Sequence, residues 1–143
     1  MGNEVSMLNS IRKTTQMGCY GIEVILDETV NRQFRNALRE QHKEYEEIFE
    51  EADRLLNERG GKVRNINPFA KYGNAVSSII RVRASADPTA KIAEMMLQGN
   101  TRGMIKSLNN IRTMGILEPK VSTLSRRLLQ TEQANIDQMK QYL

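Results

Sequence analysis

Apolar residues recur every three or four positions through five segments of the 143-residue chain, which is the spacing of one face of an α-helix. The pattern is clearest between residues 29 and 59. One heptad stripe there holds Phe34, Leu38, Gln41, Tyr45, Ile48, Ala52 and Leu55, and glutamates occupy the other faces. No stretch alternates strictly between apolar and polar residues, so no β-strand is predicted. The pattern therefore predicts an all-α protein.

Prolines and glycines mark the predicted helix ends. Each of the three prolines follows a residue that can cap a helix, in the pairs Asn67-Pro68, Asp87-Pro88 and Glu118-Pro119. Glycines at positions 60, 61 and 115 stop the helices before them, and Asp27-Glu28-Thr29 supplies the caps of the second helix. These signals place helices at about 4–26, 29–59, 68–85, 88–114 and 119–142.

Four long amphipathic segments and one shorter segment indicate a helical bundle. We expect a single domain over residues 1–143, because a chain of this length builds one hydrophobic core. It divides into a hairpin at 4–59, a crossover at 60–87 that carries the short helix, and a second hairpin at 88–142. The predicted fold is an antiparallel four-helix bundle with a shorter fifth helix in the crossover.

Polar residues interrupt the apolar stripes of the long helices. They are Thr15, Gln41, Asn100, Glu132 and Asn135. Residues equidistant from the turn of an antiparallel hairpin lie at the same height, so we expect Thr15 to face Gln41 and Asn100 to face Asn135. Burying such groups without partners costs roughly 1–3 kcal/mol each. The interpretations that stay open are a hydrogen-bonded layer that fixes helix register, the remnant of a ligand or metal site, and a half-solvated bundle edge.

Glycines lie inside the first and fourth predicted helices, at Gly18, Gly21, Gly99 and Gly103. A glycine inside a helix costs about 0.5–1 kcal/mol relative to alanine. These positions therefore indicate either close packing against a bulky side chain such as Tyr45, or room for a ligand or a second subunit.

Composition narrows the function classes. One His and one Cys exclude a zinc finger and an intramolecular disulfide. The longest apolar runs are far shorter than the roughly 20 residues of a membrane span, and the first residues lack the apolar core of a signal peptide. His42 flanks the apolar stripe, which is typical of a surface histidine, and Cys19 is typical of a small buried hydrophobe. We expect a cytoplasmic protein with no membrane association.

The formal net charge of +4 is concentrated in the predicted crossover. That segment holds Lys62, Arg64, Lys71, Arg81 and Arg83 against Asp87. Lys71, Arg81 and Arg83 could form an anion-binding face, although a solvated helix face has the same composition. No aromatic interleaving and no recognition-helix pattern favours nucleic acid, so a nucleic-acid partner is not expected.

The arrangement resembles the ferritin-like four-helix proteins of the rubrerythrin and bacterioferritin type. The phrases TTQMGCYGIEVIL, LREQHKEYEEIFEEADRLL, KIAEMMLQGNTRGMIKSL and LLQTEQANIDQMKQYL are similar to small bacterial members of that superfamily. The superfamily builds a di-iron centre from a Glu on one helix of each hairpin and a Glu-x-x-His on the other. The corresponding positions here are Thr15, Leu38 with Gln41, Asn100, and Glu132 with Asn135. Only Glu132 keeps a ligand type, so the resemblance implies the fold without the di-iron chemistry.

These observations predict a non-catalytic bundle that acts as a binding or protein-interaction module without a cofactor. A homodimer that packs through the glycine-bearing helices, or another protein partner, fits this prediction. Other functions stay open: a metalloprotein with an unusual site anchored by Glu132, and an anionic-ligand or nucleic-acid binder that uses the basic crossover.

Overall fold

The computed structural model describes residues 2–65 and 68–143, with the side chains of 68–72 and 74 outside that description. Within those ranges the chain forms α1 (Gly2–Leu26), α2 (Arg32–Glu58), α3 (Pro68–Arg83), α4 (Pro88–Met114) and α5 (Pro119–Lys140). No strand occurs in the described residues, and the prediction of an all-α chain is confirmed. No helix in these ranges combines the length and apolarity needed to cross a bilayer.

Asn31 sets the start of α2, so the helix begins at Arg32 and not at the predicted residue 29. The Asn31 side chain accepts a hydrogen bond from the Phe34 backbone N–H at 2.9 Å, as an N-cap does. Thr29 instead donates its hydroxyl to the Ile25 carbonyl at 3.0 Å and so bonds back to the last turn of α1. The prediction that Asp27-Glu28-Thr29 supplies the cap is therefore wrong.

The helices pack as two hairpins, α1 with α2 and α4 with α5, and the hairpins meet through α1 with α4 and α2 with α5. Helices α1 and α4 are antiparallel. Asn3, near the start of α1, donates to the carbonyl of Met114 at the end of α4 at 2.9 Å, and Asn110, earlier in α4, donates to Ser10, later in α1, at 2.7 Å. The short helix α3 lies against α1 and α4. One hydrophobic cluster joins all the helices, with Leu8, Phe34, Val82, Ile92 and Leu128 among its buried members.

Candidate ligand-binding cleft

A cleft of about 880 Å³ lies between α1 and α4. These two helices pack much less closely than α1 and α2 do, which leaves the space. Tyr45 of α2 and Glu132 of α5 line the bottom of the cleft. The segment 60–65 and α3 line its sides. A concave site of this size accommodates a small molecule.

Three polar side chains at the bottom of the cleft, those of Tyr45, Asn100 and Glu132, meet a fourth, Asn135, which does not line the cleft. We call these four side chains the floor cluster. The Tyr45 hydroxyl lies 2.9 Å from Asn100 Oδ1 and within hydrogen-bond distance of Glu132 Oε1. Asn135 Nδ2 donates to the same hydroxyl at 3.2 Å. Glu132 is 1% exposed and Asn100 is 2% exposed. Asn100 Nδ2 has no hydrogen-bond partner among the described residues, although Asn100 lines the cleft.

Burial changes the acidity of the floor cluster. Loss of solvent raises the pKa of the Glu132 carboxyl to about 7, although the hydrogen bond from Tyr45 opposes the shift. Burial, and then the nearby Glu132, raise the pKa of Tyr45 well above its usual value, so the phenol stays protonated. Glu132 therefore changes its charge near neutral pH while its phenol partner does not.

Two glycines make room for the floor cluster. A Cβ on Gly18 would lie 2.7–2.9 Å from ring atoms of Tyr45, and a Cβ on Gly103 would overlap the Glu132 carboxylate. Gly21 and Gly99 also line the cleft, but a Cβ at either position would meet no described atom within 4 Å. Gly18 and Gly103 therefore allow close packing, whereas Gly21 and Gly99 leave the walls of the cleft open.

Alanine substitutions on α4 separate these two roles. Gly103→Ala should push the Glu132 carboxylate away from Tyr45 and lower the free energy of unfolding by about 1–3 kcal/mol. Gly99→Ala, in the same helix, should raise that free energy by about 0.4–1 kcal/mol, because alanine restricts the unfolded chain. Urea denaturation of both variants measures the difference. Equal effects on stability would contradict the close approach of Glu132 to Gly103.

Basic side chains surround the cleft. They are Lys13, Lys62, Arg64, Arg81, Arg102 and Lys106. None of them forms an ion pair within the described part of the chain, whereas Arg12, Arg54, Arg83 and Arg127 all do. Among the described residues, Glu132 is the only acidic residue that lines the cleft. The cleft is therefore positive and attracts ligands of negative charge.

Two residues of α1 hold the segment 60–65 beside the cleft. Asn9 donates to the Lys62 carbonyl at 2.7 Å and accepts from the Arg64 backbone N–H at 2.9 Å. Arg12 donates to Asp53 at 2.9 Å and to the Arg64 carbonyl at 3.5 Å. The side chains of Lys62 and Arg64 remain exposed, and both line the cleft.

Thr15 and Gln41 are both buried, and each side chain forms a hydrogen bond with another residue. The Thr15 hydroxyl donates to the Ile11 carbonyl of its own helix at 2.8 Å. Gln41 Nε2 donates to Gln138 of α5 at 2.7 Å. These hydrogen bonds do not join Thr15 to Gln41, and the expectation that the two residues face each other stays a prediction. Neither residue lines the cleft.

Asn100 and Asn135 do meet at one height, but through a residue that the sequence analysis left in the apolar stripe. Tyr45 lies between them, and its hydroxyl bonds both amides. The signal that could have found it is chemical: a buried tyrosine needs a hydrogen-bond partner, and no aliphatic neighbour on the stripe supplies one.

Two of the three residues predicted to form an anion-binding face have described side chains, and one of these two lines the cleft. Arg81 lines the cleft, but Arg83 pairs with Glu28 at 2.9 Å and does not line it. The side chain of Lys71 lies outside the described residues. The cleft also has basic residues from α1 and α4, namely Lys13, Arg102 and Lys106, which lie outside the crossover and were not predicted to bind anions.

The donors around Glu132 do not fit a metal centre. Among the side chains that the structure describes, no group of three or more His, Cys, Asp or Glu residues could hold a metal ion. Glu132 contacts the phenol of Tyr45, and the amides of Asn100 and Asn135 contact the same phenol. Iron, manganese and zinc prefer carboxylate, imidazole or thiolate ligands.

Cys19 and His42 do not line the cleft. Burial, followed by Glu46 and Glu23, raises the pKa of the Cys19 thiol to about 12, so no reactive thiolate forms. The His42 ring lies 2.7 Å from Glu23 and 3.3 Å from Glu46. These contacts join α1 to α2 at the surface and leave the floor cluster without a histidine.

The fold is similar to one solved structure, the crystal structure of a DUF305 fragment from Deinococcus radiodurans. The TM-score is 0.76, and the match covers 98% of this chain and 94% of that chain at 13% sequence identity. At this identity the likeness concerns the all-helical fold alone. No protein-family model matches the chain, and no curated protein matches its sequence.

Proposed function

We propose that the chain is a non-catalytic binding module that holds a small anionic ligand in the cleft between α1 and α4. The observation that carries the proposal is the lining of the cleft, where about 880 Å³ is surrounded by basic side chains that form no ion pair with a described residue. A concentration of one charge sign repels itself, and a bound anion relieves that repulsion. The unpartnered amide of Asn100 also supports a ligand, because a buried polar group without a partner costs about 1–3 kcal/mol.

The shape of the basic region favours a small ligand over nucleic acid. The cations lie around a concave cleft between two helices, whereas a nucleic-acid backbone requires an extended basic face. A protein partner or a second copy of the chain is the other candidate. The observation in its favour is the exposure of Ile105 and Leu108, three residues apart on α4, at 51% and 46%. Analytical ultracentrifugation tests for a dimer.

We also propose that the four long helices have a ferritin-like arrangement. The support is the order of contacts: each hairpin packs within itself, α1 contacts α4, α2 contacts α5, and the crossover that carries α3 joins the hairpins. Three residues that occupy ligand positions in the resemblance all contact the Tyr45 hydroxyl: Asn100, Glu132 and Asn135. Superposition of an experimental structure on a rubrerythrin-type bundle tests the arrangement.

Calorimetric titration with sulfate tests the binding function, because sulfate keeps its charge across neutral pH. Lys13 and Lys106 lie at similar heights on opposite walls, since the neighbouring Ser10–Asn110 contact joins the same two helices. The double variant Lys13→Glu with Lys106→Glu should weaken sulfate affinity at least about tenfold.

The matched control makes the same change of charge away from the cleft. Lys43 and Lys120 are exposed and do not line it. Lys43→Glu with Lys120→Glu should change sulfate affinity less than about twofold at a fixed ionic strength. Equal losses in the two double variants, or no binding to the unmodified chain, would overturn the proposed function.

A further inference from the structure

The floor cluster contains fewer hydrogens than its contacts require. Both Asn100 Oδ1 and Glu132 Oε1 lie within hydrogen-bond distance of the Tyr45 hydroxyl. A phenol has one hydrogen to donate, so it cannot serve both acceptors if Glu132 is ionised. Asn135 does not resolve the conflict, because its amide donates to the phenol oxygen and takes no hydrogen from it.

Two arrangements satisfy the cluster. If Glu132 is protonated, it donates to the Tyr45 oxygen, and Tyr45 donates to Asn100 Oδ1. Asn100 Nδ2 then remains without a partner, which is what the structure shows. If Glu132 is ionised, Tyr45 donates to Glu132, and Asn100 must rotate its amide by about 180° to donate Nδ2 to Tyr45. The free atom of Asn100 is a donor in the first arrangement and an acceptor in the second.

We propose that the cleft binds an oxyanion-bearing small molecule with one of its oxygens on Asn100 Nδ2, and that binding is coupled through Tyr45 to uptake of a proton by Glu132. This inference rests on the proposed function, and it adds the ligand chemistry and the regulation of the same site. An oxyanion oxygen accepts hydrogen bonds and cannot donate one, so it matches only the arrangement in which Glu132 is protonated. Gly103 allows the carboxyl to lie in this position, because a Cβ there would overlap it.

The charged groups around Glu132 do not replace it as the titrating group. Tyr45 on α2 stays protonated, because burial and Glu132 raise its pKa, and Cys19 on α1 stays a thiol because its pKa is about 12. Among the described residues, the remaining titratable groups that line the cleft are basic: Lys13 on α1, Lys62 and Arg64 before α3, Arg81 on α3, and Arg102 and Lys106 on α4. The pKa of Glu132, about 7, places its proton uptake in an accessible range.

The test is the pH dependence of sulfate affinity at constant ionic strength, between about pH 5.5 and about pH 8.5. The unmodified chain should bind sulfate about tenfold more weakly at the upper pH, because the Asn100 donor is lost. The negative charge of sulfate also raises the pKa of the nearby Glu132 carboxyl, and this repulsion alone makes binding depend on pH. The control must therefore keep the repulsion and remove only the hydrogen-bond connection. Tyr45→Phe keeps Glu132 and the cations but removes the phenol that connects Glu132 to Asn100. Its affinity should fall less than about threefold over the same range.

Glu132→Gln provides the second variant, because it fits the same space and cannot ionise. Its sulfate affinity should not change with pH. Equal pH dependence in the unmodified chain and in Tyr45→Phe would show that charge alone couples the sites, and the inference would be wrong while the proposed function stands. Absence of sulfate binding at every pH would instead overturn the proposed function itself.

Discussion

The unmodified chain should lose about 3 kcal/mol of stability relative to Glu132→Gln as the pH rises from about 4 to about 8. Folding raises the pKa of the Glu132 carboxyl from 4.5 to about 7, chiefly by burial. Between these values the folded chain binds a proton that the unfolded chain does not. The stability that the neutral carboxyl contributes is therefore complete below about pH 4.5 and is lost as the pH rises through about 7.

Urea denaturation of both proteins across this range measures the effect as a difference. His42 and its partners Glu23 and Glu46 are present in both chains, so their contribution cancels in the comparison. A difference in free energy that does not change with pH would show that Glu132 titrates as an exposed carboxyl does.

Tyr45→Ala should lower the free energy of unfolding by about 3–5 kcal/mol. Tyr45 is 2% exposed, and its ring fills the space left by Gly18 while its hydroxyl joins the floor cluster. Alanine removes the ring and leaves Asn100, Asn135 and Glu132 without their shared partner. Tyr45→Phe keeps the ring and removes only the hydroxyl, so it should cost about 1–3 kcal/mol.

Urea denaturation of the two variants separates the packing of the ring from the hydrogen bonds of the hydroxyl. The free energy lost in Tyr45→Ala should exceed that lost in Tyr45→Phe by at least about 2 kcal/mol. Equal losses would mean that the ring contributes little packing against α1. A Tyr45→Phe chain as stable as the unmodified chain would mean that the floor cluster does not need the phenol.

Helix positions were predictable because their signals are local. Pro88 follows the capping residue Asp87, and Gly115 takes a positive φ of 72° directly after α4, so both ends of that helix follow from the sequence. The start of α2 was harder to predict, because Thr29 and Asn31 can both cap a helix and the difference lies in their contacts. Thr29 bonds back to α1, which leaves Asn31 as the cap.

The site was less predictable, because it depends on directions around the helices as well as on heights along them. Counting from the turn placed Asn100 and Asn135 at one height, and they share Tyr45 there. The same count does not describe the hydrogen bond of Thr15, which lies within its own helix. The cleft itself arises between α1 and α4, which belong to different hairpins, and no count within one hairpin describes that contact.

The attachment of the segment 60–65 makes the charge of the cleft evolutionarily adjustable. Asn9 and Arg12 hold this segment through backbone atoms of Lys62 and Arg64, and not through their side chains. Replacement of either side chain leaves those hydrogen bonds in place, so the preference of the cleft for one ligand over another can change while the segment keeps its position. In this bundle, selection can alter specificity at residues 62 and 64 with little cost to folding.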